Sequence, residues 1–261
     1  THWQQHFEIA VAALKAGKHV FLEKPMAATG QECLRLTALA DRSPGHLMVG
    51  HVCRFDPRAS MAQAAIAQGR IGRIVSMHAK RNLPKAPGHI RLDKISPFMG
   101  DGIHDADLMM WFMQQLPTRV YARSVRVNDF AYPDLGWAML EFGDRAVGVI
   151  ETVWCLPENV PTVIDAQLEV IGTEGMLTVD CSNTGFRMVT ADGNKMGDTV
   201  YWPEQHGRRV GALPQQLEYF ATCIRDQTPP KVITPLEAAN AVIVMEAAEE
   251  SAKIGLPVEI S

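Results

Sequence analysis

The chain has 261 residues, 47% of them hydrophobic and 21% charged, with a formal net charge of -4, an ordinary globular composition with room for two compact units. Basic and acidic residues are interspersed, so nucleic acid and anionic membrane surfaces find no electrostatic footprint. The apolar run in ANAVIVMEAAEESAK is broken by charge well short of the roughly 18 residues a membrane span needs. The opening THWQQHFEIAVAALKAGKHV has neither the basic start nor the small-residue cleavage site of a signal peptide. Cys33, Cys53, Cys155, Cys181 and Cys223 are odd in number, scattered and without a C-x-x-C pair. That speaks against a disulfide frame or a zinc ribbon and for a reducing, cytoplasmic setting.

In chain order, apolar residues at Phe7, Ile9, Ala10, Val11, Ala13 and Leu14 predict a helix over 6–15 that stops at Gly17. HVFLE then reads as a buried strand. Thr29 with Glu32 three residues later predicts a capping box and a helix through Asp41, with Leu34, Leu36, Leu39 and Ala40 on its apolar side. LMVGHV follows as a second strand, and this alternation implies parallel strands with crossover helices. From about residue 70 the pattern changes. IGRIVSMHAKRN, TRVYARSVRV, GWAMLEF, AVGVIETVWC, DAQLEVIG and MLTVD are strand candidates joined by turns such as GDR, GTEG and ADGN, which predicts a mostly antiparallel sheet. Helices predicted over 101–115, 214–226 and 236–254 would cover one of its faces. The expected architecture is α/β plus α+β: a partial Rossmann-type parallel sheet over residues 1–53, then a mostly antiparallel sheet domain covered by helices over 54–261.

Two stretches carry candidate chemistry. Lys24 stands at the end of a predicted buried strand and is followed by Pro25. A lysine at a strand end is commonly a solvated charge, but ligands of parallel α/β sheets bind outside the carboxyl ends of the strands, which is where Lys24 lies. In MGDGIHDADLMMWF, Gly100 and Gly102 open a helix whose first turn holds His104, Asp105 and Asp107. Acidic residues there oppose the helix dipole, whereas an imidazole beside a glycine-lined opening suits proton transfer near neutral pH. A metal cluster of His104, Asp105 and Asp107, with His78 and His89 upstream, is disfavoured because successive helical residues point about 100° apart.

Taken together, THWQQHFE, AALKAGKHVFLEKPMA, MVGHVCRFDP, GRIVSMHAKRN, GDGIHDADLMMWF and EVIGTEGMLTVD resemble the glucose-fructose oxidoreductase, inositol dehydrogenase and rhizopine catabolism (Gfo/Idh/MocA) family over essentially the whole chain. The resemblance implies an NAD- or NADP-dependent oxidoreductase acting on a secondary alcohol of a sugar, cyclitol or sugar derivative. It places Lys24 and His104 at the substrate, His104 as general base and Lys24 as the group that stabilises the developing alkoxide. His6, Glu23, Lys24, Pro25 and Arg54 become cofactor-side positions. For Arg54 a salt bridge between domains is the competing expectation, and for Glu23 a role in supporting the loop. Arg81, Asn82 and His104 become substrate-side positions, with exposed strand-end residues the alternative for the first two. Trp202 and His206 lie in a loop read as an aromatic anchor or a specificity element.

Two departures from the family pattern stand out. Many members carry D-x-x-x-H, but four residues before His104 is Gly100, and the nearest acid, Asp101, is one residue out of register. Asp101 is retained as a catalytic candidate even so. The G-x-G-x-x-G turn that holds a dinucleotide pyrophosphate does not occur between residues 1 and 261. The sequence is therefore expected to begin in the back part of the dinucleotide unit and to bind cofactor very weakly as it stands. The alternative is a non-catalytic binding or assembly module. The apolar face of VGVIETVW predicts a homodimer or homotetramer.

Overall fold

The computed structural model describes residues 2–191 and 193–260. Helix α1 (His6–Lys15) buries His6, Ala10 and Leu14, one apolar stripe at helical spacing, while Ile9 faces out. It ends at Gly17, whose φ of 69° is left-handed. Strand β1 (Val20–Leu22) pairs in parallel with β2 (Leu47–Val49), with α2 (Gly30–Ala40) as the crossover between them. Thr29 caps α2 by accepting from Glu32 N at 3.2 Å. The predicted reciprocal bond is displaced by one residue, because the Glu32 carboxylate accepts from Ala28 N at 3.1 Å. Leu36 is buried as expected, whereas Leu34, expected on the same apolar side, is exposed and Cys33 is buried in its stead.

A 3-10 turn (Val52–Phe55) leads into α3 (Pro57–Ala67), which the sequence reading left out; Asp56 caps it by accepting from Arg58 N, and Pro57 sits in its first turn. A seven-stranded sheet follows, in the order β13-β4-β5-β6-β3-β7-β8. Its strands are β3 (Ile74–Asn82), β4 (Arg119–Val125), β5 (Leu135–Glu141), β6 (Val147–Val153), β7 (Asp165–Gly172), β8 (Met176–Asp180) and β13 (Val258–Glu259). All its pairings are antiparallel except β3 with β6. Small hairpins β9–β10 (Arg187–Thr190, Gly193–Met196) and β11–β12 (Glu204–Gln205, Arg208–Arg209) decorate it. Asp192, in the predicted ADGN turn, lies outside the described residues.

Alternation decides which face of the sheet is covered. Val120 and Ala122, Ala138 and Leu140, Ile150, and Ala166, Leu168 and Val170 all point to one side and are buried. Against them lie α5 (Ile103–Met113) and α7 (Pro235–Ile254). Helix α7 is apolar nearly all round: Ala238, Ala241, Val242, Met245 and Ala248 are fully buried, because α7 packs on the sheet, α5 and α2 at once. Its start has the full reciprocal cap, with Thr234 Oγ1 accepting from Glu237 N at 3.2 Å and the Glu237 carboxylate accepting from Thr234 N at 2.9 Å. No described element covers the opposite face of the sheet; Trp137 is 43% exposed there, and Val147 and Ile171 lie on the same face. Helices α4 (Lys85–Leu92) and α6 (Ala212–Arg225) complete the molecule. Among the described residues no helix is long and apolar enough to cross a membrane.

Candidate active site

The carboxyl end of β1 delivers Glu23, Lys24 and Pro25 to a cavity of about 540 Å³. The Lys24–Pro25 bond is cis, and the Pro25 carbonyl lies 2.9 Å from His6 Nδ1. His6 thus braces the turn from behind. It does not line the cavity, so its contact with the cofactor side is through the turn it holds.

Opposite Lys24 the chain enters α5 through a five-residue π turn, Phe98–Gly102. Such turns take up one more residue than an α turn, and this one brings both Asp101 and His104 to the cavity wall despite the shifted spacing in the sequence. Lys24 Nζ donates to the Gly100 carbonyl. Gly100 itself has no space for a side chain, since a Cβ would lie 2.4 Å from Trp154 Cη2. The Trp154 indole therefore packs directly on the backbone that holds Lys24.

Burial lowers the pKa of Lys24 against the opposing pull of Asp101. Burial, with Lys24, Arg81 and Arg91 adding to it, holds His104 well below the ordinary imidazole value, so the ring is neutral near pH 7. The Asp101 carboxylate stands 3.7 Å from Arg91 Nη1, and its Oδ2 has no hydrogen-bond partner. The same holds for His104 Nδ1, Trp154 Nε1, Trp3 Nε1 and both amide atoms of the fully buried Gln216. All of these residues line the one cavity.

Other expected site residues are occupied elsewhere. Arg81 does line the cavity, but its guanidinium forks onto Asp105 at 2.8 and 3.1 Å, a pairing that raises its pKa in spite of burial. Asn82 is no cavity residue. Its amide donates to Glu151 Oε1 at 2.7 Å and its carbonyl accepts from Val153 N at 2.8 Å, stitching β3 to β6. Arg54, expected at the cofactor or in a salt bridge, is the salt bridge. It grips Asp107 at 2.7 and 2.9 Å, Glu237 at 2.7 Å and the Val232 carbonyl at 2.8 Å, away from Lys24. Trp202 lines the cavity and His206 does not. His78 stacks on Trp137 on the open face of the sheet, and His89 lies 3.9 Å from Asp134. Among the described residues no group of three or more His, Cys, Asp or Glu side chains is placed to hold a metal.

Two models of one family match the chain: residues 1–51 fit "Oxidoreductase family, NAD-binding Rossmann fold", and residues 60–178 fit "GFO/IDH/MocA C-terminal domain". The chain belongs to the Gfo/Idh/MocA family. Inositol 2-dehydrogenase 2 of Saccharopolyspora erythraea is 34% identical over 151 residues, 57% of this chain and 42% of that protein, so the matched stretch is less than half of that relative. The scyllo-inositol 2-dehydrogenase (NAD(+)) of Bacillus subtilis is 26% identical over 98% of this chain and 74% of its own length. In fold, the chain resembles scyllo-inositol dehydrogenase from Lactobacillus casei, crystallised with NAD(H) and scyllo-inositol, at a TM-score of 0.81 with 19% identity, covering 99% of this chain and 78% of that one.

Within this Gfo/Idh/MocA member, Arg91, Lys94, Trp154, Tyr201 and Gln216 line the cavity without having been singled out from sequence. Arg91 and Lys94 follow Pro87 and Gly88, which disguise α4 as a loop, and Trp154 reads as strand filler at the end of β6. Gln216 gives no signal at all, since only the fold shows its amide to be buried and unpaired.

Proposed function

We propose that the protein is an NAD-dependent dehydrogenase that moves a hydride between the nicotinamide and a secondary alcohol of a cyclic polyol, with an inositol as the first substrate to try. The supporting observation is that Lys24 and His104, from β1 and α5, meet on one cavity walled by unpaired buried donors and acceptors. An unpaired buried polar atom costs about 1–3 kcal/mol, and a ring of hydroxyls, each both donor and acceptor, relieves that cost where an apolar ligand does not. The names of the relatives point the same way, towards inositols and towards NAD over NADP. They give no support to a non-catalytic binding or assembly module.

The residues present fit a nicotinamide end. Glu23, Pro25 and Gly50 would hold it on the β1–β2 side, where the absent Cβ of Gly50 leaves room for the Phe21 ring and the Glu23 carboxylate. NAD, when bound, supplies the hydride acceptor. His104, neutral and open to the cavity, takes the proton of the substrate hydroxyl. Lys24, anchored by the Gly100 carbonyl, donates to the same oxygen and stabilises its growing negative charge. Asp101 offsets the Lys24 charge and offers an acceptor to a neighbouring hydroxyl. Residues 1–53 present the cofactor side in this scheme and residues 54–261 the substrate side. The uncovered sheet face, in turn, is the surface we assign to assembly with further copies of the chain.

Turnover of myo- and scyllo-inositol by the full-length protein, followed through NADH, tests the proposal. Lys24→Ala is expected to lower kcat by at least about 100-fold, and near-normal turnover by that variant removes Lys24 from the mechanism.

A further inference from the structure

His51 lies just past β2 and Gly50, fully buried, and neither of its ring nitrogens has a hydrogen-bond partner. A ring kept only to fill space would do better as phenylalanine, because each unmet polar atom in the interior costs stability. Such groups in a native fold call for a reason, and chemistry is one of the few available. The neighbours of His51 supply that reason. Its Nδ1 is 3.7 Å from Asp107 Oδ2. Its ring stands edge-to-face to that of His104, centroids 6.5 Å apart at 85°. His104 has its own sealed and unpaired Nδ1, with Asp101 making no hydrogen bond to it.

The charges on the two sides differ in sign. Behind His51, Arg54 is shared between the buried Asp107 and the half-buried Glu237, two carboxylates to one guanidinium, which leaves one net formal negative charge on that side. On the cavity side, Lys24, Arg81 and Arg91 all disfavour a proton on His104. Lys24 and Arg54 act on His51 in the same sense, opposed by Asp107 and Glu237. A base set among cations needs a counterweight if it is to hold a proton even transiently.

We infer that His51 is a positioning residue for His104, coupling it to the buried Asp107 and taking the part that a directly bonded carboxylate would otherwise play. The Asp107 carboxylate, 3.7 Å from Nδ1, favours through its field the His51 tautomer with the proton on Nδ1, which leaves the Nε2 lone pair free on the side of the ring pair shared with His104. His104 then keeps its own proton on Nδ1 and presents the Nε2 lone pair to the substrate. When the substrate O–H bond breaks, its proton forms a bond to His104 Nε2, and the positive charge spreads over the imidazole pair against the net negative charge of the Arg54, Asp107 and Glu237 cluster. With NAD bound, the nicotinamide would accept the C–H electron pair as hydride, apart from this proton path. This role rests on His104 being the base proposed above.

Nitrogen NMR of the histidine side chains tests it on the chain itself, with the His104 signal identified by its loss in His104→Ala. His104 is expected as a single Nδ1–H tautomer in the parent chain. In His51→Phe it is expected to become a tautomer mixture, and in His51→Gln, which restores a donor and an acceptor, to recover in part. Asp107→Asn is expected to give the same mixing with the His51 ring in place, so the outcome does not hang on one variant folding; thermal melts of all three accompany the spectra. An unchanged His104 tautomer in His51→Phe or in Asp107→Asn overturns the inference. In the full-length enzyme His51→Phe is expected to lower kcat about tenfold, a fraction of what a general base contributes, with KM changed less than about twofold. Because the spectra need no turnover, the dehydrogenase reading fails independently, namely if His104→Ala keeps full activity.

Discussion

Burial holds His104 well below, and His51 below, the ordinary imidazole pKa of 6.5. The unfolded chain therefore binds protons beneath pH 6.5 that the native state refuses. Stability falls as pH drops through that window, by up to about 1.4 kcal/mol per pH unit for each ring, and levels off below the native pKa values. Urea unfolding between about pH 7.5 and pH 5 is expected to show this slope, and His51→Phe is expected to flatten it. Lys24 and His104 were legible as residues because EKP ends a buried strand and GIHDADL opens a helix. Asp101 was legible only as a candidate, since a one-residue offset reads as a misdirected side chain until the π turn that absorbs it is seen. Asn82 misled because a polar residue at a strand end looks the same in sequence whether it faces a ligand or a neighbouring strand. His51 sat in plain view within GHVCRFDP, but burial without a partner leaves no trace in a sequence.

At the scale of elements, Arg54 is the tie whose removal should be felt most. It joins the turn after β2 to α5 through Asp107 and to α7 through Glu237. Arg54→Ala leaves Asp107, which is fully buried, without its guanidinium, and a buried charge stripped of its partner costs about 3–5 kcal/mol. Denaturant melts are expected to show a loss of that order, only partly restored by Arg54→Lys because an ammonium cannot fork onto a carboxylate. The large sheet strands were legible because their apolar residues alternate regularly, and α7 because Pro235 and a Thr–Glu capping pair open a long helix-forming run. Helix α3 begins where the MVGHVCRFDP motif ends and its low-contrast, alanine-rich RASMAQAAIA carries no sharp apolar stripe, and β9 with β10 has no buried face to impose alternation, its residues being exposed or half-exposed.

The whole molecule buries one face of its sheet and leaves the other bare. Trp137 stacks on His78 there, ring centroids 6.1 Å apart, and the same face carries Val147, Ile171 and Met176, all more than a third exposed. If this face joins copies of the chain as proposed, Trp137→Glu is expected to lower the mass measured by light scattering while leaving circular dichroism unchanged. An unaltered mass assigns assembly to another surface.

The seat of α2 on α7 has a mechanical consequence. Gly30 N donates to Glu246 at 2.7 Å, and a Cβ on Gly30 would fall 2.5 Å from Ile243, so the two helices touch backbone to side chain with nothing between. Because α7 also lies on the large sheet, a single rod is bolted to both halves of the protein. Drawing α2 away from the large sheet would break that joint.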